Sequence, residues 1–509
     1  MKEHRDDGVV IHQKGSVSIG RTEYLWRIER NQTEMTSNYD PVTRAVLEVW
    51  DYTSNLSKYA LEDERIEEAI KKVRSNKGAP GIDGMKVDDL EEYFHDHLDE
   101  IRESIWNRKY KPQPVRRVYI PKPNGDKRPL GIPVAVDRVI QQAFATALSN
   151  VFEPEFSEHS YGFRPGKSAA MAIEQAVEYL NEGYEWIIDL DIQKFFDTVN
   201  HDKLISLIRK RVPEDITLSM IRKFLKAGYM ENGVFVKSEL GQPQGGCISP
   251  ILSNIYLNEL DQELNKRGIK WVRYADDAML FAKSEKAADR IMNSISRWIE
   301  KHLFLKVSPT KTKVVRPNKA KFLGFTFYQS RGEGKWYACP HADSKANIYR
   351  KLKKILCRRK AASKKLNDVF WLIHLTVVGW INYYRIGHIK KFCRRLGEWL
   401  RHKVRVVILK QWKRRKTIFK NLRKINRNLD SFRKIVKSEL GIDWHPRRQS
   451  EEYIFAQCYT RAGWYRLGNN QIVNNLLHPY ILQLKTKHRM GLINPSDYLE
   501  EALARGNNC

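Results

Sequence analysis

Two adjacent aspartates, Asp276 and Asp277, sit between the apolar runs WVRY and AMLFA, and a third acid, Asp191, closes the apolar run WIIDL. A carboxylate at the end of a buried strand is costly unless something compensates it. A divalent cation would do so, since carboxylates are the hard oxygen ligands that Mg²⁺ accepts. Three such groups brought together suit phosphoryl transfer to a hydroxyl, which uses two divalent ions about 3.5–4 Å apart: one lowers the pKa of the attacking hydroxyl, the other steadies the leaving pyrophosphate. A lone Asp-Asp pair reads as the polar tip of a hairpin. Here the flanking apolar strands and the motifs around them favour the metal reading.

The elements that must position these acids follow from hydrophobic periodicity. WIIDLDI (186–192) reads as a short buried strand, and WVRYADDAMLFA (271–282) as two strands joined at Ala275, Asp276 and Asp277. Upstream, Leu61, Ile66, Ile70 and Val73 share one face of a helix over 61–74, broken by SNKGAPGIDG. Val115 to Pro133 reads as a basic β-hairpin turning at Asn124-Gly125. A helix is expected between Asp137 and Phe156, another after SYGFRPGKS, and a helical stretch from His201 to Lys226. The polar hairpin ENGVFVKSEL, the glycine-rich GQPQGG and a helix beginning near Ser249-Pro250 come next. An amphipathic helix (289–302) and the strand-like LKVSPTKTKVV and KFLGFTF close this part. Mixed helices with antiparallel strands make the fold class α+β.

The charge balance bounds the partners. The chain has 509 residues, 90 Lys plus Arg against 60 Asp plus Glu, and a net charge of +30, which calls for an anionic partner. Within residues 345–424 there are 26 Lys plus Arg and only two acids, Asp368 and Glu398, with Phe392, Leu396, Trp399 and Leu400 forming an apolar stripe amid the bases. Attraction to phosphates, reinforced by counterion release, is the natural use of such a face, and Trp399 and Trp412 are candidates for stacking on unpaired bases. At 42% hydrophobic residues the chain is not mainly disordered. No apolar run approaches the roughly 18–20 residues of a membrane span, and the first residues lack the apolar core of a secretory signal. Six cysteines without a C-x-x-C pair suggest neither a zinc module nor a disulfide framework. A cytoplasmic protein is expected.

NKGAPGIDG, IPKPNGDKRPLGIP, SYGFRPGKS, DLDIQKFFDTVNHD, GQPQGGCISP, RYADDAMLF, KTK and KFLGF occur in this order. Together they resemble the reverse transcriptases encoded by bacterial group II introns, which also act as maturases. GWINYYRIG (379–387) further resembles the maturase-specific thumb, or domain X. The compact layout is most like the class C type without an endonuclease domain; members with a homing endonuclease end in a Cys and His metal module, no such cluster occurs here, and second-strand nicking is not expected.

The resemblance implies a right-hand polymerase, with fingers and a palm built on antiparallel sheet over 59–335, a helical thumb or domain X over 336–424, and a basic C-terminal region over 425–509 that binds DNA. Residues 1–58 form a leader of unread role. It implies that Asp191, Asp276 and Asp277, with the carbonyl of Ile192, hold two Mg²⁺ ions, Mn²⁺ being a possible substitute. Phe196, or its neighbour Phe195, would pack on the sugar of the incoming nucleotide and exclude a 2′-hydroxyl. Lys122 and Arg128, on opposite arms of the basic hairpin, would grip the triphosphate, Arg as a fork and Lys as a point charge. Gln244 would line the nucleotide site and Lys311 would act near the leaving pyrophosphate. Gly245 and Gly246 would let nucleic acid approach, while Arg394, Arg395, Lys413, Arg414, Arg415 and Lys416 would bind it. The loop NKGAPGIDG would touch template or primer. His201 is read as a capping or packing residue.

The implied partners are group II intron RNA, an RNA template with a DNA primer, target DNA and dNTPs, and the implied activity is RNA-directed DNA synthesis joined to a maturase role in splicing and retrohoming. Two other functions compete: a host-adapted reverse transcriptase in antiviral defence or linked to CRISPR, and a splicing cofactor whose polymerase has decayed. Intact Asp191, YADD, Lys122 and Arg128 argue against decay, and GWINYYRIG argues against host adaptation.

Overall fold

The structure is a computed structural model that describes residues 52–121, 125, 127–231, 233–237, 240–242 and 245–412. The chain divides into two compact units, one ending at Val315 and the other starting at Arg316.

In the first unit, the helix Leu56–Ala60 is followed by the helix Asp63–Ser75, whose buried face is Ile66, Ala69, Ile70 and Val73. Leu61 does not belong to the second helix, as its spacing suggested: the extended backbone of Glu62 (ψ 150°) separates the two, and Leu61 caps the first. The stretch 201–226 is likewise two helices, His201–Arg209 and Asp215–Lys226. Pro213 between them lacks the N–H that a continuous helix would use.

Strands β1 (Val115–Pro121) and β2 (Lys127–Ile132) form the expected basic hairpin, with Gly125 at φ +93° in its turn. Strands β3 (Trp186–Asp191), β4 (Tyr229–Glu231) and β5 (Val234–Val236) follow. One sheet has the order β2-β1-β4-β5; its β1–β4 pairing is parallel and the others antiparallel. The guanidinium of Arg117 lies 3.6 Å from the Tyr229 ring centroid, tying β1 to β4.

Strands β6 (Lys270–Tyr274), β7 (Asp277–Ala282) and β8 (Lys313–Val315) complete a second, wholly antiparallel sheet of order β6-β7-β3-β8. Of LKVSPTKTKVV only 313–315 joins it as a strand, Val307 making an isolated bridge to Ile192. The buried helix Ser249–Lys266 and the amphipathic helix Glu285–Leu303 share its apolar core with Ile188, Leu190 and Leu280.

The second unit holds the hairpin of β9 (Phe325–Gln329) and β10 (Trp336–Pro340) and the helices Ala342–Ile355, Arg358–Ala362, Leu366–Tyr384 and Lys390–Trp412. Its own core includes Ile348, Leu352, Ile373, Val377, Ile381, Leu396 and Leu400. The motif GWINYYRIG ends the third of these helices: Ile381 is core, and Trp380 and Tyr384 pack against it. Among the described residues no helix is long and apolar enough to cross a membrane.

Candidate active site

The register of the second sheet brings the acids to one end. Asp191 on β3 is the direct cross-strand neighbour of Asp277 on β7, and such neighbours have Cβ atoms about 4.5–5.5 Å apart. Tyr274 pairs with Asp277, so the β6–β7 hairpin turns through two residues only, Ala275 and Asp276. Ala275 has φ +60°, a left-handed conformation that an L-residue adopts at a cost of about 1–2 kcal/mol.

Asp191 is pinned on its backbone side. Its N–H donates to Thr312 Oγ1 (3.2 Å), and its carbonyl accepts from the Ser308 N–H (2.8 Å). Its carboxylate accepts from Lys311 Nζ at 3.1 Å on both oxygens. The lysine expected near the pyrophosphate thus reaches the Asp191 carboxylate, which already holds one cation, the Lys311 ammonium. The backbone arrangement and donor set fit a divalent ion, since two carboxylates face across adjacent strands with a third at the adjoining turn. Among the described residues, though, no three acidic, His or Cys side chains converge into a ligand cluster. Closing one asks Asp191, Asp276 and Asp277 to turn their carboxylates inward.

After Asp191 the chain leaves the sheet through Ile192, which is buried and bridges Val307, and enters a helical turn, Phe195–Thr198, by way of Lys194 at φ +48°. The adjacent phenylalanines separate cleanly. Phe195 is 2% exposed and meets Tyr256 edge-on at 6.4 Å, whereas Phe196 is half-buried, its ring 5.4 Å from that of Phe195.

The start of GQPQGG is strapped to this turn. The Gly241 N–H donates to the Val199 carbonyl (2.9 Å) and the Gln242 N–H to the Phe196 carbonyl (2.7 Å). A Cβ on Gly241 would lie 2.7 Å from the Phe196 carbonyl oxygen, and its φ is +80°, so only glycine fits. His201 is buried and pairs through Nε2 with the Gly241 carbonyl at 2.5 Å; burial pushes its pKa down, which leaves the neutral imidazole donating. The cap of the following helix is Asn200, accepting from the Lys203 N–H.

Gly245 is exposed at φ +110°, and the side chain it lacks would strike the Gly131 carbonyl; Gly246 is buried and accepts from the Ser249 N–H. Arg128 is exposed on β2 opposite Ile120. Lys71, Arg74, Lys77 and Lys86 line a cavity of about 700 Å³ beside the NKGAPGIDG loop. Arg394 and Arg395 are exposed in the second unit. Trp399 meets Tyr349 edge-on at 5.0 Å and, with Trp412, packs half-buried against the apolar core, so each ring has a packing role beside the stacking that the sequence suggested. Lys122, Gln244, Lys413, Arg414, Arg415 and Lys416 lie outside the described residues.

Sequence reasoning passed over Arg273, inside the quoted motif RYADD, and Asp261. These two side chains are 1% and 0% exposed and form a bidentate pair, Nε to Oδ1 at 2.8 Å and Nη2 to Oδ2 at 2.5 Å. Burial pushes the Asp261 carboxyl upward and the Arg273 guanidinium opposes it. The signal was an arginine inside the apolar run WVRY and an aspartate following Leu257 and Leu260 on a buried helix face.

Family models match two stretches: "Reverse transcriptase (RNA-dependent DNA polymerase)" over residues 120–327 and "Group II intron, maturase-specific domain" over 345–425. Protein YkfC of Escherichia coli is 34% identical over 317 residues, 54% of this chain and 83% of its own. The group II intron-encoded protein LtrA of Lactococcus lactis is 38% identical over 221 residues, 43% of this chain. The putative COX1/OXI3 intron 2 protein of Saccharomyces cerevisiae is 31% identical over 49% of this chain. The match spans 37% of LtrA and 28% of the yeast protein, about a third of their lengths.

Proposed function

Because the chain belongs to the reverse transcriptase family of group II introns and carries both the polymerase and the maturase-specific domain, we propose that it is an RNA-directed DNA polymerase that copies RNA from a DNA primer and acts as maturase in intron splicing and retrohoming. The observation that carries the reading is the register of Asp191 opposite Asp277, with Asp276 in the adjoining two-residue turn.

In this reading Asp191, Asp276, Asp277 and the Ile192 carbonyl hold two Mg²⁺ ions, for which Mn²⁺ substitutes. The bound ions supply a lowered pKa at the primer hydroxyl and charge neutralisation at the leaving pyrophosphate. Lys122 and Arg128 hold the triphosphate of the incoming dNTP, Gln244 lines its site, and Phe196, the half-buried member of its pair, excludes the 2′-hydroxyl. Lys311 exchanges its Asp191 contact for the pyrophosphate side of the site. Fingers and palm span 59–335 and the thumb 336–424, with Arg394, Arg395 and the cluster 413–416 on intron RNA and primer-template. The basic region 425–509 binds target DNA.

The test is primer extension on an RNA template with dNTPs and Mg²⁺. Mg²⁺-dependent cDNA from the wild type, lost when Asp276 and Asp277 become Asn, supports the reading. RNA binding without any extension by the wild type would favour a splicing cofactor instead.

A further inference from the structure

The pair Arg273–Asp261 does more than fill the core. Arginine has five N–H donors, and all five of Arg273 are used inside the protein. Nε and one Nη2 hydrogen go to Asp261, the other Nη2 hydrogen to Ser160 Oγ (2.8 Å), and Nη1 to Asn254 Oδ1 (3.1 Å) and to the carbonyl of Ala275 (2.8 Å). The last acceptor belongs to the residue at φ +60° that immediately precedes Asp276.

The other partners close around the same turn. Asn254 donates to the Gly162 carbonyl at 2.9 Å, and a Cβ on Gly162 would lie 2.3 Å from the Ala275 nitrogen, so the 160–162 segment lies directly against the turn. That segment is itself bound to β6: the Arg273 N–H donates to His159 and the Tyr161 N–H to the Arg273 carbonyl.

We infer that Arg273, fixed by Asp261, Asn254 and Ser160, is a positioning residue that clamps the Ala275 carbonyl and so aims the carboxylates of Asp276 and Asp277. The inference rests on reading those two as metal ligands. Physical cost argues for it. A buried ion pair can often be replaced by apolar residues of similar volume without loss of stability, so stability alone is weak reason for a fully buried arginine here. A left-handed alanine, by contrast, relaxes unless its carbonyl is held.

The test compares full-length wild type with two variants, Arg273→Lys and the double replacement Arg273→Met with Asp261→Leu, each made with and without Ala275→Gly. The readouts are kcat and KM for dNTP in primer extension, Mn²⁺ affinity by electron paramagnetic resonance, and thermal melting. The double variant is expected to fold but to melt below the wild type, because Ser160 Oγ, Asn254 Oδ1 and the Ala275 carbonyl lose their donor, to keep KM, to lose kcat on the order of 100-fold as a misaimed ligand would, and to bind Mn²⁺ several-fold more weakly. Glycine adopts positive φ without penalty, so Ala275→Gly is expected to recover part of both losses, which a purely structural role would not allow. A folded double variant with wild-type kcat and Mn²⁺ affinity overturns the inference, as does a loss that Ala275→Gly leaves untouched. If the double variant does not fold, Arg273→Lys decides on the same readouts. Failure of both to fold assigns the pair to palm stability and overturns the positioning role. A wild type that neither extends primers nor binds Mn²⁺ brings down the functional reading, and this inference with it.

Discussion

The acidic end of the sheet β6-β7-β3-β8 and the basic face of the helix Lys390–Trp412 are both made of charged side chains, yet they are built in opposite ways. At the sheet end the backbone of each acid has a fixed address: Asp191 by register opposite Asp277 and by its own backbone bonds, Asp276 by a two-residue turn held by a saturated arginine. On the helix, Cys393, Leu396 and Leu400 are buried while Arg394 and Arg395 project outward. Chemistry at a reacting atom needs sub-ångström placement, whereas attraction to a polyanion sums over many charges and tolerates exchange of any one. The difference predicts which substitutions matter.

The largest effect is expected at the sheet end. Asp276→Asn with Asp277→Asn should lower primer extension by more than about 1000-fold while leaving RNA affinity unchanged, since loss of a preorganised charge interaction alone costs about 100–1000-fold. Single-turnover extension beside a filter-binding assay measures both; retained extension would detach these residues from catalysis.

Next comes the apolar side of the basic helix. Leu396 is fully buried, and Leu396→Ala should cost about 2–5 kcal/mol, visible as a lower denaturation midpoint. A cost like that of a surface change would mean that the stripe is not core.

The two phenylalanines should part company. Phe196→Val is expected to relax the preference for dNTP over rNTP with little change in stability, and Phe195→Val to destabilise by about 1–3 kcal/mol while preserving sugar choice. Incorporation ratios and chemical denaturation on the same preparations check this. The opposite outcome would exchange the roles of core and gate.

How far the sequence went depends on whether local pattern or tertiary contact decides. Asp191 and YADD were legible because apolar strands bracket them, and the Phe392-Leu396-Trp399-Leu400 stripe because its spacing is helical. The break at Leu61-Glu62 was not, since a leucine at the right phase serves either helix. That Trp399 and Trp412 also pack against a core was not legible, because an aromatic among bases shows no local sign of the core beside it. Arg273 escaped notice for a related reason: its partners Asp261, Asn254 and Ser160 lie 12, 19 and 113 residues away.

The smallest effect belongs to the basic face. Arg394→Gln with Arg395→Gln should leave stability within about 0.5 kcal/mol and flatten the salt dependence of RNA binding by roughly 0.7–0.9 in slope per lost phosphate contact. Affinity across a salt series reads this directly, and an unchanged slope would remove both arginines from the interface.

Anomalous diffraction from crystals of the full chain with primer-template, an incoming nucleotide and Mn²⁺ bears most directly on the carboxylates. Two peaks about 3.5–4 Å apart, both within ligand distance of Asp191, Asp276 or Asp277 and with Lys311 released from Asp191, are the expected result. Manganese density elsewhere, with Lys311 still on the Asp191 carboxylate, would contradict the assignment.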